Sequence, residues 1–151
     1  DTITGGAGND TIYVNAGTDT VIINTGNTQT GTVTLASTDI SATVDLIYGM
    51  EDGDKIDTGL TMTAATSVAL GTAVINVTAT TVGTADQIIV IQGTYDGTDF
   101  TAGTGGGNDD YFVQGNDHSD TDAVFSAVLM DVSGTFTHDV DIAGIMTLTI
   151  A

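Results

Sequence analysis

The chain of 151 residues contains no cysteine and no proline, and Lys55 is its only basic residue apart from two histidines. Without cysteine, no disulfide bond can hold the fold together, which fits a secreted protein stabilised by metal ions. Without arginine, the chain cannot clamp a phosphate group or stabilise an oxyanion with cationic side chains. No His-Glu-x-x-His or Gly-x-Ser-x-Gly motif is present, and the two histidines are isolated. We therefore do not expect an enzyme.

Acidic residues dominate the charge, with 20 Asp and Glu giving a formal net charge of −19. Repulsion between these carboxylates opposes compaction unless cations offset it, and it excludes nucleic acid and anionic lipid as expected partners. The charged fraction is only 14% and the hydrophobic fraction is 40%, so the chain does not have the composition of a disordered acidic tail. No apolar stretch is long enough to span a membrane.

A nine-residue repeat opens the chain and is clearest in the segment Gly5-Gly6-Ala7-Gly8-Asn9-Asp10-Thr11-Ile12-Tyr13. Weaker copies follow, in which the equivalent positions are Gly17 and Gly26 for Gly8, and Asp19 for Asp10. Residues 1–3 match the end of an earlier copy, so we expect the chain to be part of a longer or processed protein. A glycine-rich nonapeptide with one aspartate, followed by alternating apolar residues, is typical of a calcium-binding parallel β-roll.

The nine-residue period predicts a six-residue loop and a three-residue strand in each repeat. Two repeats make one turn of the roll, so loops eighteen residues apart stack on the same side. Asp1 and Asp19 then share one side, and Asp10 faces Thr28 on the other. The strand residues that point inward are predicted to be Ile3, Ile12 and Val21.

Calcium is the ligand that this loop chemistry predicts. Glycine permits positive φ angles, which turn backbone carbonyls toward a common centre, and aspartate adds carboxylate oxygens. Calcium takes about six to eight oxygen ligands. The predicted site residues of the roll are Asp1, Gly5, Gly6, Gly8, Asp10, Gly17 and Asp19. The third copy lacks the paired glycines and carries Thr28 in place of the aspartate, which indicates that the roll ends there.

A later segment carries a family resemblance. Asp45-Leu46-Ile47, followed by Gly53-Asp54-Lys55-Ile56-Asp57, resembles the segment that closes the β-roll in repeats-in-toxin (RTX) proteins exported by type I secretion. Together with the opening repeats, this resemblance implies calcium as the cofactor and an extracellular location, either secreted or at the cell surface. We predict an RTX β-roll over residues 1–30 and a β-sandwich-like module over residues 31–151.

Two acidic clusters outside the repeats have two interpretations each. The first cluster either binds calcium at the base of the roll or forms a solvated acidic turn; its candidate ligands are Asp52, Asp54 and Asp57. The second either binds calcium or forms a polar loop that caps the next element; its candidate ligands are Asp117, Asp120 and Asp122.

The rest of the chain reads as an all-β fold, because short β-branched runs alternate with glycine turns. Residues 88–91 are apolar on both faces and are predicted to form a central strand, followed by a hairpin around Asp96-Gly97. Residues 120–132 have both helical and strand character, and we favour a strand. The alternating segment 146–150 is predicted to be an edge strand or an exported C-terminus.

Three functions from different classes fit these observations. The composition, rich in Thr, Gly and Ala and poor in Lys, resembles that of RTX surface-layer proteins and favours a structural subunit that assembles with copies of itself into a layer or filament. The second is the calcium-folded secretion module of a larger exported enzyme or toxin. The third is an adhesin domain, for which a cell-surface polysaccharide is the partner and an aromatic patch beside an exposed calcium is the expected signature.

Overall fold

The computed structural model describes residues 1–23, 38–39, 44–58, 67–68, 87–103, 109–116, 123–132, 136–140 and 145–150. These residues form strands and turns without a helix, which confirms the all-β class. None of them belongs to a helix with the length and apolarity needed to cross a bilayer. The strands are β1 (Thr2–Thr4), β2 (Thr11–Tyr13), β3 (Thr20–Ile22), β4 (Thr38–Asp39), β5 (Asp45–Tyr48), β6 (Lys55–Asp57), β7 (Ser67–Val68), β8 (Gln87–Tyr95), β9 (Asp99–Ala102), β10 (Asp110–Asn116), β11 (Ala123–Met130), β12 (Phe136–Val140) and β13 (Ile145–Ile150).

The N-terminal repeats form the predicted roll. Strands β1 and β3 pair in parallel with Thr2 opposite Thr20, so equivalent residues eighteen apart lie side by side. Strand β2 lies in the other sheet. The three-residue strands and the two repeats per turn are therefore confirmed.

A second coil of the roll comes from residues 45–57. Strand β5 pairs in parallel with β2, placing Ile47 opposite Ile12, and β6 pairs in parallel with β3, placing Ile56 opposite Val21. Both pairs are separated by 35 residues along the chain. The neighbour predicted for Asp10 was Thr28, which lies outside the described residues; β5 occupies the position beside β2, and Asp45 is the neighbour of Asp10.

Two sheets run from the roll into the downstream strands. The five-stranded sheet has the order β1-β3-β6-β13-β12, and the eight-stranded sheet has the order β2-β5-β11-β10-β8-β9-β4, with β7 paired to β8. Strand β13 lies between β6 and β12, so the prediction that residues 146–150 form an edge strand was wrong. The strand predictions for β8 and β11 and the hairpin between β8 and β9 are confirmed.

The main core lies between the two sheets. Val21 and Ile56 from the smaller sheet pack with Ile12 and Ile47 from the larger one, and all four side chains are at most 5% exposed. Ile3 is half-buried against the same cluster. The predicted inward positions of the roll are therefore confirmed, since alternate residues of each strand face this core. Downstream strands continue it with Val90, Tyr111, Val113, Ala127 and Leu129.

A second apolar cluster includes residues of β8, β9, β10 and β11 that are buried apart from the main core. Phe100 and Phe112 are fully buried in it, with ring centroids 5.8 Å apart. A Cβ atom at Gly93 would overlap the Thr101 carbonyl oxygen and would lie 2.7 Å from the Phe100 ring, so glycine is required at this position. Strands of the larger sheet are thus apolar on both faces, as residues 88–91 indicated.

Candidate metal centre

The two N-terminal loops, residues 5–10 and 14–19, adopt the backbone that their glycines permit. Gly6, Gly8 and Gly17 have φ angles of +106°, +109° and +140°. L-amino acids with a side chain rarely adopt such angles, so these positions favour glycine. Each loop runs from the end of one strand to the aspartate that precedes the next strand.

Asp10 ends the first loop with one carboxylate oxygen turned inward. Within the described residues, the buried atom Asp10 Oδ2 has no hydrogen-bond partner. A Cβ atom built on Gly5 would lie 2.8 Å from this oxygen, so glycine leaves the space that the carboxylate occupies. A side chain at position 5 would therefore displace the carboxylate of the predicted ligand Asp10.

Asp19 ends the second loop and is almost completely buried, at 3% exposure. Its Oδ1 atom accepts a hydrogen bond from the amino group of Asp1 at 2.5 Å. Its Oδ2 atom is buried, and no donor among the described residues reaches it. The predicted pairing of Asp1 with Asp19 on one side of the roll is thus observed.

Unsatisfied buried carboxylate oxygens of this kind suit a bound cation. A buried anionic oxygen without a donor is costly, and proteins pair such groups with positive charge or metal. Lys55 is the only lysine or arginine in the chain, so side chains cannot supply that charge at both loops. Carboxylate and carbonyl oxygens on flexible loops are the ligand type that calcium prefers. The residues present therefore fit calcium, which Asp10 and Asp19 would hold together with loop carbonyls.

Asp45 is a site residue that the sequence analysis missed. It is 1% exposed, and its Oδ1 atom accepts a hydrogen bond from the backbone N–H of Asp10 at 2.9 Å. Asp45 and Asp54 are nine residues apart and each begins an Asp-x-Ile segment, as Asp10 does before Ile12. That spacing is the signal that could have identified the second coil.

The predicted cluster at the base of the roll is divided by the structure. Asp54 is fully buried before β6, whereas Asp52 is exposed in the preceding turn. Asp57 is half-buried at the opposite end of β6, where its carbonyl accepts the N–H of Ile23. The structure therefore does not bring Asp57 together with Asp54. The other predicted cluster, Asp117, Asp120 and Asp122, lies outside the described residues.

Another acidic group lies at the junction of β10 and β11. Carboxylate oxygens of Asp109, Asp110 and Asp131 all lie within 4.8 Å of one another. Asp110 is buried and accepts the N–H groups of Tyr95 and Asp131, at 2.7 and 2.9 Å. These two bonds satisfy both of its oxygens, so this carboxylate joins β8 to the end of β11.

An exposed aromatic pair lies near that group. Tyr13 is 67% exposed and stacks on Tyr48, with ring centroids 5.0 Å apart. Desolvation raises the pKa of Tyr48 above its usual value, and the neighbouring Tyr13, Asp131 and Asp110 raise it further. The two rings are adjacent because β2 and β5 pair in register.

Comparison with known families agrees with this geometry. Residues 1–29 match the model of the RTX calcium-binding nonapeptide repeat, in four copies. The resemblance of the N-terminal segment to RTX repeats is therefore confirmed, and these repeats bind calcium. Repeats of this kind are typical of proteins exported by type I secretion. No curated protein and no solved structure matches the chain.

Proposed function

We propose that the chain is a calcium-binding extracellular structural protein that assembles with copies of itself into a surface layer or filament. The observation that carries the calcium part is the pair of buried oxygens, Asp10 Oδ2 and Asp19 Oδ2, which lack donors in the described structure. The RTX repeats over residues 1–29 support export to the cell exterior.

Charge supports calcium control of the assembly. At −19 per chain, copies repel one another, and little positive charge is available to oppose this. At physiological ionic strength this repulsion is screened beyond about 8 Å, so it acts mainly on copies in close contact. Calcium bound at the loops lowers the charge of each copy. Association is therefore expected to need calcium rather than salt alone.

A strand edge supports the contact between copies. Among the described residues, β12 pairs along one side only, with β13. The free side of a strand presents N–H and C=O groups that can pair with another chain. A contact between this β12 edge and a different surface of another copy would propagate into a filament or lattice unless the rotation between copies closes a ring.

The test follows calcium in two measurements on the chelated full chain. We expect circular dichroism to gain β signal and light scattering to rise from monomer to large assemblies as calcium reaches millimolar concentration. Magnesium at the same concentration is the matched control, because it screens charge similarly but demands a tighter octahedral shell. A dichroism spectrum unaffected by calcium would contradict calcium-dependent folding. A monodisperse monomer in millimolar calcium would contradict assembly and favour the secretion module of a larger exported enzyme or toxin.

An adhesin domain is the second candidate, and the exposed Tyr13–Tyr48 stack favours it. Flat aromatic faces suit the apolar faces of sugar rings, so a cell-surface polysaccharide is the expected ligand of this pair. Tyr13→Ala would then weaken polysaccharide binding, while Thr11→Ala, also exposed on β2, would leave it unchanged. Equal binding by both variants would argue against this role.

A further inference from the structure

The aspartates of successive coils are linked by one repeated hydrogen bond. The N–H of Asp10 donates to Asp45 Oδ1 at 2.9 Å, and the N–H of Asp19 donates to Asp54 Oδ1 at 2.8 Å. The nitrogen of Asp1 makes the equivalent contact with Asp19 Oδ1. In each case the backbone of one aspartate is held by the carboxylate of its equivalent in the next coil.

Asp19 and Asp54 differ in the hydrogen bonding of their second carboxylate oxygen. Asp19 Oδ2 is buried and meets no donor within the described structure. Asp54 Oδ2 accepts the N–H of Glu51 at 2.7 Å, so both oxygens of Asp54 accept a backbone amide. Asp54 is fully buried, yet its charge is satisfied by the protein alone.

The sequence of the loop before Asp54 explains this difference. Asp52 stands where the loop before Asp19 has Gly17, and Met50, which replaces Asn15 of that loop, is buried in the main core. The Asp54 N–H donates to the Glu51 carbonyl at 3.1 Å, while the Glu51 N–H returns to the Asp54 carboxylate. This reciprocal pair closes the turn around the carboxylate, as a capping box closes a helix end.

We propose that Asp54 is a positioning residue for the calcium-binding Asp19 and not a calcium ligand. A backbone amide of its own turn takes the place that a cation takes beside Asp19, so the series of calcium sites on the Asp19 side of the roll ends at this coil. The proposal rests on calcium binding by the Asp19 loop. It assigns Asp54 a different role from the metal ligand that the sequence suggested.

The physical reason lies in the buried N–H of Asp19. A hydrogen bond to an ionised carboxylate is shorter and stronger than one between neutral groups. It fixes the backbone of Asp19 and thereby the direction of its free Oδ2 atom. Removal of the acceptor leaves a buried donor unsatisfied, and the loop must move before it holds calcium.

The experiment titrates calcium into the chelated full chain by calorimetry, which gives both the affinity and the number of bound ions. Asp54→Ala removes both acceptors, whereas Asp54→Asn removes the charge and keeps one oxygen for the Asp19 N–H. Asp96→Asn is the matched control, because Asp96 also accepts two backbone amides, in an exposed turn of the β8–β9 hairpin. Amide hydrogen exchange of Asp19 in saturating calcium is the second readout.

We expect Asp54→Ala to weaken calcium binding about tenfold, or about 1.4 kcal/mol, with the number of ions unchanged. Exchange of the Asp19 N–H is expected to accelerate in the same variant. Asp54→Asn is expected to weaken calcium binding less than Asp54→Ala, since its amide oxygen can still accept the Asp19 N–H while its NH2 group faces the Glu51 N–H. The Asp96→Asn control is expected to bind as the original chain does.

Two results would overturn the positioning role alone. One is the loss of one bound ion in both Asp54 variants, which would make Asp54 a ligand. The other is unchanged affinity and unchanged Asp19 exchange in Asp54→Ala. An original chain that takes up no calcium would overturn calcium binding as well, and that result is seen before any variant is compared.

Discussion

Gly5 offers a test of the calcium loop in which the steric effect is separable from backbone strain. Its φ angle is not positive, so alanine is compatible with the backbone there. The added Cβ atom would lie 2.8 Å from Asp10 Oδ2 and 3.1 Å from Asp10 Cβ. The 2.8 Å contact is too short for non-bonded atoms, so the Asp10 carboxylate must rotate away. The contact with Asp10 Cβ is only tight, and a small shift of the loop relieves it.

The expected loss of calcium affinity follows from the rotation that the added Cβ atom forces on the Asp10 carboxylate. Without calcium, the Asp10 side chain can turn aside at about 0.5–1.5 kcal/mol, the cost of an off-rotamer torsion. With calcium, the same rotation removes a charged ligand from the ion. We therefore expect Gly5→Ala to weaken calcium binding about fivefold to tenfold, measured by calorimetry, because a factor of ten corresponds to about 1.4 kcal/mol.

Gly6→Ala is the matched control, since a Cβ atom at Gly6 meets nothing within 4 Å but must accept a φ angle of +106°. Each glycine variant is then combined with Asp10→Ala in a double-mutant cycle. The effect of Gly5→Ala is expected to shrink in that background, because the contact with the carboxylate is gone and only the 3.1 Å contact with the Cβ atom of residue 10 remains, whereas the strain of Gly6→Ala is expected to persist. An equal effect of Gly5→Ala with and without the Asp10 carboxylate would refute this reasoning.

Two further predictions concern other parts of the fold. Gly49→Ala combines a φ angle of +82° with a Cβ atom 2.5 Å from the Val14 carbonyl oxygen, so we expect urea unfolding in calcium to show that the free energy of unfolding falls by about 3 kcal/mol or more. Gly97→Ala, with a φ angle of +101° and open space around the Cβ atom, is the control for backbone strain alone. An equal loss of stability in both variants would contradict the clash. Hydrogen bonds from the N–H groups of Asp99 and Thr98 lower the pKa of Asp96, so its carboxylate stabilises the hairpin above the ordinary pKa of about 3.9 and loses that contribution as pH falls through the lowered value. An NMR titration of Asp96 at or above the ordinary value would contradict this.

The opening repeats were predictable because their chemistry is local. The register of Gly8 with Gly17 and of Asp10 with Asp19 defines the loop and the strand within nine residues. The alternation around Ile12 then defines which side chains face the core. Each of these signals depends only on residues that are close together in the sequence, so it can be read from the sequence alone.

The coil formed by residues 45–57 was indicated only by the resemblance to the closing segment of RTX rolls and not by the repeat, because its separation from the first coil is not a multiple of nine. Asp10 and Asp45 are 35 residues apart, so the period that identifies the roll does not extend to Asp45. The loop before Asp54 also lacks the glycines at the positions of Gly6 and Gly8. The remaining signal in the sequence is the pair of Asp-x-Ile segments. The structure shows that they form β5 and β6, which pair with β2 and β3.

The position of β13 within its sheet was mispredicted for a different reason. Alternation over residues 146–150 indicates a strand with two unlike faces, but it carries no information about which strands lie on either side. Pairing of β13 with β6 joins two segments about 90 residues apart. Contacts at that separation depend on the whole fold.

The 35-residue separation of equivalent strands also has a consequence for insertion tolerance. Equivalent strands within the first coils are eighteen residues apart, so the separation roughly doubles between Ile23 and Val44. The entropy of closing a flexible loop grows only logarithmically, and a doubling costs about 0.6 kcal/mol. The loop-closure cost of a foreign segment grafted at this point would therefore be small, provided that β4 still pairs with β9 and that Asp45 and Asp54 still meet the amides of Asp10 and Asp19. Its cost would appear in the folding rate, which falls as contacting residues become more distant in sequence.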